Sequence, residues 1–500
     1  MQEMAERDAS GNAREKAIRR AGGRLLGGRP ACSHESAAGR CDHAGADRRI
    51  DILLGGFGPL NGQNAKGVEL QTLVRADNGT SGAKLVVSRR ELLADLPSPT
   101  WFERDGDMLY AVLENTGEVA SLRIVRNDGG GRGAGCRCND EHRDNGRVCG
   151  GRDGAKDCAD NLNRDGHDGD DGDARGRNVR LEQTSRITVQ GDGPTHAALA
   201  IDDEGHRHLI VACYGDGSIG VHRLDEQGRI LPGNQLLEGE GHGPLPAQAG
   251  PHAHWILPLP DGRVLTTDLG ADRVYVHRWE HGTLRRSAAV RLAPGTGPRD
   301  MHLMPTNGGG WRVAVVDEWG CTVTVLAGVF EQDFGQDTVP QPQAGDADAG
   351  DHAFADGGVR VVQTISLGGD AIDQAASLAY VPSGRLGDAV HCGETARAEG
   401  HVTDGCGIAY VGLRGSDRIV ALLWDGERFA RLTDPGVNDG RGRGTPCGGS
   451  RPRQLVAFGT LLLAADEASN NLAVFDIEDA GEPCLVARFD ADSPTVILRV

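Results

Sequence analysis

A cadence of paired strands returns five times after residue 190 and leaves this chain few ways to fold. Its units begin at "PTHAALAI", "PHAHWILPL", "PRDMHLMP", "QAASLAYVP" and "RPRQLVAF". Each leads into a β-rich run, a Gly/Asp/Ser turn and a second alternating run, as in "HLIVACYGDGSIGVHRL" and "RVLTTDLGADRVYVHRW". Alternating β-branched residues bounded by turn residues signal antiparallel hairpins. Roughly four strands per repeated unit make a propeller blade. A sixth unit reads "PTWFERDGDMLYAVLENTGEVASLRIV" over residues 99–125. The seventh combines "DILLGGFG" and "GVELQTLV" near the start with "SPTVILRV" at the end. The expectation is an all-β, seven-bladed β-propeller over residues 51–500, with the last strand closing the ring onto the first blade.

Composition separates this core from what surrounds it. Residues 1–50 are rich in Arg, Ala, Gly and Glu without a sustained apolar period and read as a disordered tail. Residues 127–178 hold 13 glycines in 52 positions, with Val148 and Leu162 as the large aliphatic residues. Such a segment buries too little apolar area to offset its ordering entropy. Shorter insertions of the same kind fall near 331–358 and 387–405.

The 53 basic and 72 acidic residues give a net charge of −19. That balance argues against nucleic acid or an anionic membrane surface as a general partner, so an anionic ligand needs a local basic pocket. No run of about 18 apolar residues offers a membrane span, and the first residues lack a secretory h-region. A cytoplasmic location is expected. Twelve cysteines are present; in a reducing compartment they read as free thiols. Cys136, Cys138, Cys149 and Cys158 match no common zinc spacing. "NLNRDGHDGDDGD" has Gly172 where a calcium loop starting at Asn161 needs its bidentate glutamate.

In "AGPHAHW", His252 and His254 stand two apart, which on a strand puts both rings on one face. A metal would need a third ligand, and no distal pattern supplies one; no metal and no cofactor are expected. The innermost strand of each propeller blade lines the central channel. His196, His252, His254, Arg299 and Arg453 fall near the starts of such strands, while Glu318 and Arg414 fall at turns between second and third strands. Residues distant in sequence are thereby expected to converge at one mouth of the channel.

Five segments carry a resemblance: "GPTHAALAIDDEG", "ACYGDGSIGVHRLDEQGRI", "GPHAHWILPLPDGRVLTTDLGADRVYVHRW", "GPRDMHLMP" and "DEWGCTVTVL". The chain resembles the lactonase family with a seven-bladed propeller, which includes a 6-phosphogluconolactonase and carboxymuconate cyclases. The resemblance implies an active site of a PHAH histidine (His252 or His254), Arg299 of "GPRD", Glu318 of "DEWG" and Arg414 of "LRGSD". The sequence departs from the family at Asp300, where a histidine is usual, and at Asp317 and Leu413, where asparagines are usual. Gln454 also replaces a common histidine. These changes alter the charge of the channel mouth.

Lactone hydrolysis needs a base for water, donors for the tetrahedral oxyanion, and cations for a substrate phosphate or carboxylate. His252, His254 or Glu318 could move protons, Arg299 and Arg414 offer bidentate anion binding, and His196 and Arg453 are expected to bind substrate. The leading expectation is a 6-phosphogluconolactonase-type hydrolase acting on a small anionic sugar lactone, as a monomer or weak oligomer. Two alternatives remain: a 3-carboxymuconate lactonising cyclase, which would reuse the same residues, and a non-catalytic propeller scaffold that binds a partner.

Overall fold

The computed structural model describes residues 49–77, 83–127, 178–232, 235–330, 358–386, 405–432, 444–478 and 483–500. The N-terminal tail and the three insertions lie outside these residues apart from their edges, and so do the four cysteines and the calcium-like loop named above. The chain divides into two compact units, Met1–Arg123 with Gln183–Val500, and Ile124–Glu182. Every site residue discussed below belongs to the first.

The described residues form seven antiparallel sheets, six of four strands and one of five. One strand at the end of each sheet faces its counterparts in the neighbouring sheets. In blade order these inner strands are Pro494–Arg499, Pro99–Asp105, Pro194–Ile201, Ala253–Pro258, Pro298–Met304, Ala375–Pro382 and Pro452–Phe458. Each touches the next, and the strand of blade 7 touches that of blade 1, so the ring is closed. Blade 1 is built from both ends of the sequence: Pro494–Arg499 pairs antiparallel with Arg49–Gly56, with Leu498 opposite Leu53. The chain is a seven-bladed propeller closed by its last strand, as the repeat cadence predicts.

Alternation along the strands explains where the core sits. Successive side chains leave a strand on opposite faces, so an apolar residue on either face is buried against a neighbouring blade. Between blades 5 and 6, Val316 and Val323 pack with Val411, Val420 and Trp424. Between blades 6 and 7, Tyr410 and Ile419 pack with Leu462 and Phe475. Full burial of such side chains contributes about 1.5–3 kcal/mol each. The Trp424 indole, fully buried, donates to the Pro305 carbonyl at 2.7 Å.

The cysteines depart from expectation. Cys213, Cys321 and Cys447 are free and buried, but Cys406 and Cys484 are disulfide-bonded. A thiol count cannot show pairing, because bridging depends on Cβ geometry that only the fold sets.

Candidate active site

Each inner strand begins with an irregularity. Pairing with the second strand slips register between Pro99 and Trp101, Pro194 and His196, Ala253 and Ile256, Pro298 and Asp300, Ala375 and Leu378, and Pro452 and Gln454. In blade 1 the slip leaves Thr495 unpaired. In five of the seven blades the local sequence explains this. Ser98, Gly193, Gly297, Arg451 and Ser493 take positive φ, and a proline follows each one. Proline fixes its own φ and brings no N–H to the ladder, so regular pairing cannot run through it. A bulge results, and bulges re-aim side chains. The extra residues include Thr495, Thr100, Thr195, His254, Arg299, Ser377 and Arg453, one from each blade, and all of these line one cavity of about 410 Å³.

A second set comes from the residue that follows each second strand. Glu114 follows Met108–Leu113, Glu318 follows Trp311–Asp317, Arg414 follows Gly407–Leu413 and Glu467 follows Leu461–Asp466. These two sets meet. One Glu318 oxygen lies 3.1 Å from Arg299 Nε and 2.8 Å from Arg414 Nη2. Arg299 also donates through Nη1 to the Ala376 carbonyl. Arg453 Nη1 lies 3.3 Å from a Glu467 oxygen, and its guanidinium sits over the Phe57 ring at 4.7 Å. Arg299, Glu318 and Arg414 are all buried. Removing one member of such a cluster strands the others without a partner.

Burial and neighbouring charge set the protonation states. Burial raises the Glu318 carboxyl, but Arg414, Arg299 and Arg453 outweigh it and hold the group below its ordinary value. Burial, aided by Arg414, brings Arg299 down to about 10 against the pull of Glu318. The guanidinium still carries its charge at neutral pH. His254 is held well below the ordinary histidine value, first by burial and then by Arg299 and Arg453. It is therefore neutral, and its Nδ1 makes no hydrogen bond. Burial raises Glu114, while Arg453, the Thr100 hydroxyl and Arg299 oppose the rise.

A closed ring of seven sheets around a cavity walled by arginine and histidine is the setting for the comparisons with known proteins. The family described as "Lactonase, 7-bladed beta-propeller" matches residues 173–498. The chain belongs to this family. A 6-phosphogluconolactonase of Bacillus subtilis is 30% identical over 115 residues, which cover 23% of this chain and 33% of that protein. The match thus spans about a third of the relative's length. A putative 6-phosphogluconolactonase from Bacteroides fragilis superimposes with a TM-score of 0.59 at 18% identity, covering 92% of this chain and all of the other (100%). The Pseudomonas aeruginosa protein described as a periplasmic gluconolactonase gives 0.56 at 20% identity, covering 90% and 99%. At such identities these two structures show a shared fold.

Within this lactonase-family propeller the residues expected at the site separate into roles. His254, Arg299 and Arg453 line the cavity. Glu318 and Arg414 stand behind Arg299, in ion-pair contact. His252 instead stacks on Tyr214 with ring centroids 4.4 Å apart, and its Nδ1 lies 2.7 Å from the Tyr214 carbonyl. His196 stacks on Trp255 at 3.8 Å with Trp101 tilted against it at 4.4 Å, and its Nδ1 accepts the Ile256 N–H at 3.3 Å. Asp300, the departure from the family's histidine, is buried in the cavity wall with Oδ1 2.9 Å from His302 Nε2. Among the described residues no group of three His, Cys, Asp or Glu is placed to hold a metal ion.

Sequence reasoning missed Glu114 and Glu467. A signal existed: "AADEASN" repeats the Asp-Glu pair of "VVDEWG" at the end of the second strand of its own blade, and "VLENTG" puts Glu114 at the same turn.

Proposed function

We propose that this protein hydrolyses a lactone that carries an anionic group, in the manner of a 6-phosphogluconolactonase. The observation that carries this reading is the neutral His254 imidazole lining one cavity with Arg299 and Arg453. A neutral imidazole can take the proton of an attacking water, a step that general-base groups accelerate by about 10²–10⁴-fold, and the negative charge forming on the tetrahedral intermediate offsets the burial and guanidiniums that keep the resting ring uncharged. Arg299, held in place by Glu318 and by the Ala376 carbonyl, is aimed to stabilise the oxyanion of the tetrahedral intermediate. Arg453 offers a cation for the substrate's anionic group. Glu318, tied to two guanidiniums, fixes those cations instead of moving protons. Arg414 acts through Glu318.

Water adds to the lactone carbonyl as His254 takes its proton. The intermediate then expels the ring oxygen, which takes the proton from the His254 imidazolium to give the open hydroxy acid and the neutral imidazole. The family name and the B. subtilis relative support this chemistry.

Purified protein assayed side by side with 6-phosphogluconolactone and 3-carboxymuconate tests the reading. It expects acid release from the first above the spontaneous rate. Turnover of the muconate alone would make the protein a cyclase using the same residues, and turnover of neither would favour a binding scaffold.

A further inference from the structure

We infer that this cavity takes up its anion together with a proton, and that Glu114 is the residue that carries it. The inference rests on the reading above, in which the cavity receives an anionic lactone. It starts from the charges that converge there.

Three guanidiniums are present: Arg299, Arg414 and Arg453. Glu318 engages the first two and Glu467 the third. Two carboxyls remain in the cavity wall, Asp300 and Glu114. Asp300 accepts the Leu378 N–H through one oxygen at 3.0 Å, and its other oxygen lies 2.9 Å from His302 Nε2. With Glu114 ionised, four carboxylates face three guanidiniums. An entering anion then meets a net negative charge, although two arginines line the wall, whereas protonation of Glu114 brings carboxylates and guanidiniums into balance. With Glu114 protonated, one negative charge is gone and its O–H becomes a donor for the anion. Like charges brought within a few ångströms in a buried site drive one of them to take a proton.

The surroundings of Glu114 suit this role. It sits in a short 3-10 turn, Glu114–Thr116, directly after the second strand of blade 2. Arg453 and Glu467 face it from blade 7, Arg299 from blade 5, and the Thr100 hydroxyl from its own blade. The cavity's other titratable walls are His254, Asp300 and His302. His254 is the competing proton acceptor, and burial together with Arg299, Arg453 and His196 works against charging it. Asp300 sharpens the need, because the histidine usual at that position would not add a negative charge.

Calorimetric titration of the full chain with sulfate, an anion whose charge does not change near neutral pH, tests the inference. Wild-type protein is measured from pH 5.5 to 8 in buffers of different ionisation enthalpy. Expected are uptake of about one proton per sulfate and, above the Glu114 pKa, an affinity falling roughly tenfold per pH unit. Glu114→Gln should bind with no proton uptake and a flat pH profile, tighter than wild type at pH 8, while His254→Gln should keep the uptake. Sulfate binding without proton uptake in wild type overturns the role of Glu114 and leaves the anion site standing. Uptake that persists in Glu114→Gln and vanishes in His254→Gln moves the proton to His254 and overturns it as well. No sulfate binding at any pH sinks the anion site and the inference together. The wild-type measurement needs no variant, so a misfolded substitution cannot hide the answer.

Discussion

Arg299 occupies the extra position of a bulge, and its guanidinium is spoken for on two sides, by Glu318 and by the Ala376 carbonyl. What it has left faces the cavity. Arg299→Ala should therefore reduce kcat/KM by about 10²–10³-fold, the scale of losing one preorganised oxyanion donor; an unchanged value in lactone assays would remove it from the site. Asp317 next to Glu318 shows a different use of burial. Its Oδ2 accepts the Thr322 and Thr324 hydroxyls at 2.7 and 2.8 Å, and burial pushes its carboxyl up to about 7. From about pH 4 to 7 the folded state keeps a proton that the unfolded state has released, so this group's contribution to stability falls as pH rises through that window and is level above it. Asp317→Asn cannot titrate. Its stability relative to wild type should rise from pH 4 to 7, by at most about 4 kcal/mol, and then stay constant. Thermal melts at several pH values would show it, and a difference independent of pH would refute it. At this scale the sequence was only partly legible. The family resemblance, with the places of these residues at strand starts and turns, points to Arg299, Glu318 and Arg414, but the i, i+2 spacing of His252 and His254 could not say which ring reaches the cavity, because the register slip between Ala253 and Ile256 breaks the simple alternation that such reasoning assumes.

The strand start is the element that makes the site. An αL residue, a proline and an extra residue recur in five blades, and the shared geometry places chemically different side chains at equivalent points on the channel wall. Gly297 is the most constrained example: φ is +64°, and an added Cβ would lie 2.4 Å from the Trp319 ring. Gly297→Ala should cost roughly 1–3 kcal/mol, read as a lower urea midpoint. Activity should drop beyond the stability loss, since Arg299 lies two residues on; a variant with wild-type midpoint and turnover would contradict this account of the turn. Strands and turns were legible from alternation and from Gly, Asp and Ser. The bulges were not, because apolar alternation does not mark which position is extra, although the proline at the start of most units was the visible trace of them. The turn carboxylates Glu114 and Glu467 escaped for a related reason: each matters through its place in the ring, which appears only when blades are superimposed.

The whole molecule depends on closure. Blade 1 receives its inner strand from the end of the chain, and Ile497 joins Ile52, Leu54 and Leu463 in the cluster between blades 1 and 7. Truncation after Asp492 removes that strand, leaves the Arg49–Gly56 edge unpaired and should abolish the single cooperative melt; a truncated chain melting as wild type does would show that closure contributes little. The ring itself was legible in the sequence, including its closure, because six repeated units leave the strands "DILLGGFG", "GVELQTLV" and "SPTVILRV" at the two ends to make up the seventh. Compartment was not. The cytoplasmic expectation came from the lack of an apolar span and of a secretory h-region, and the free thiols were read from it; the disulfide-bonded Cys406 and Cys484 depart from that second reading. The central claim is that one neutral histidine and two arginines, brought together by three blades, open a lactone ring. The rate of acid release from 6-phosphogluconolactone at neutral pH, followed against the spontaneous rate in wild type and in His254→Gln, tests it most directly. The account predicts clear acceleration by wild type and a loss of about 10²-fold or more in the variant; a wild-type rate equal to the spontaneous one, or a variant as fast as wild type, would contradict it.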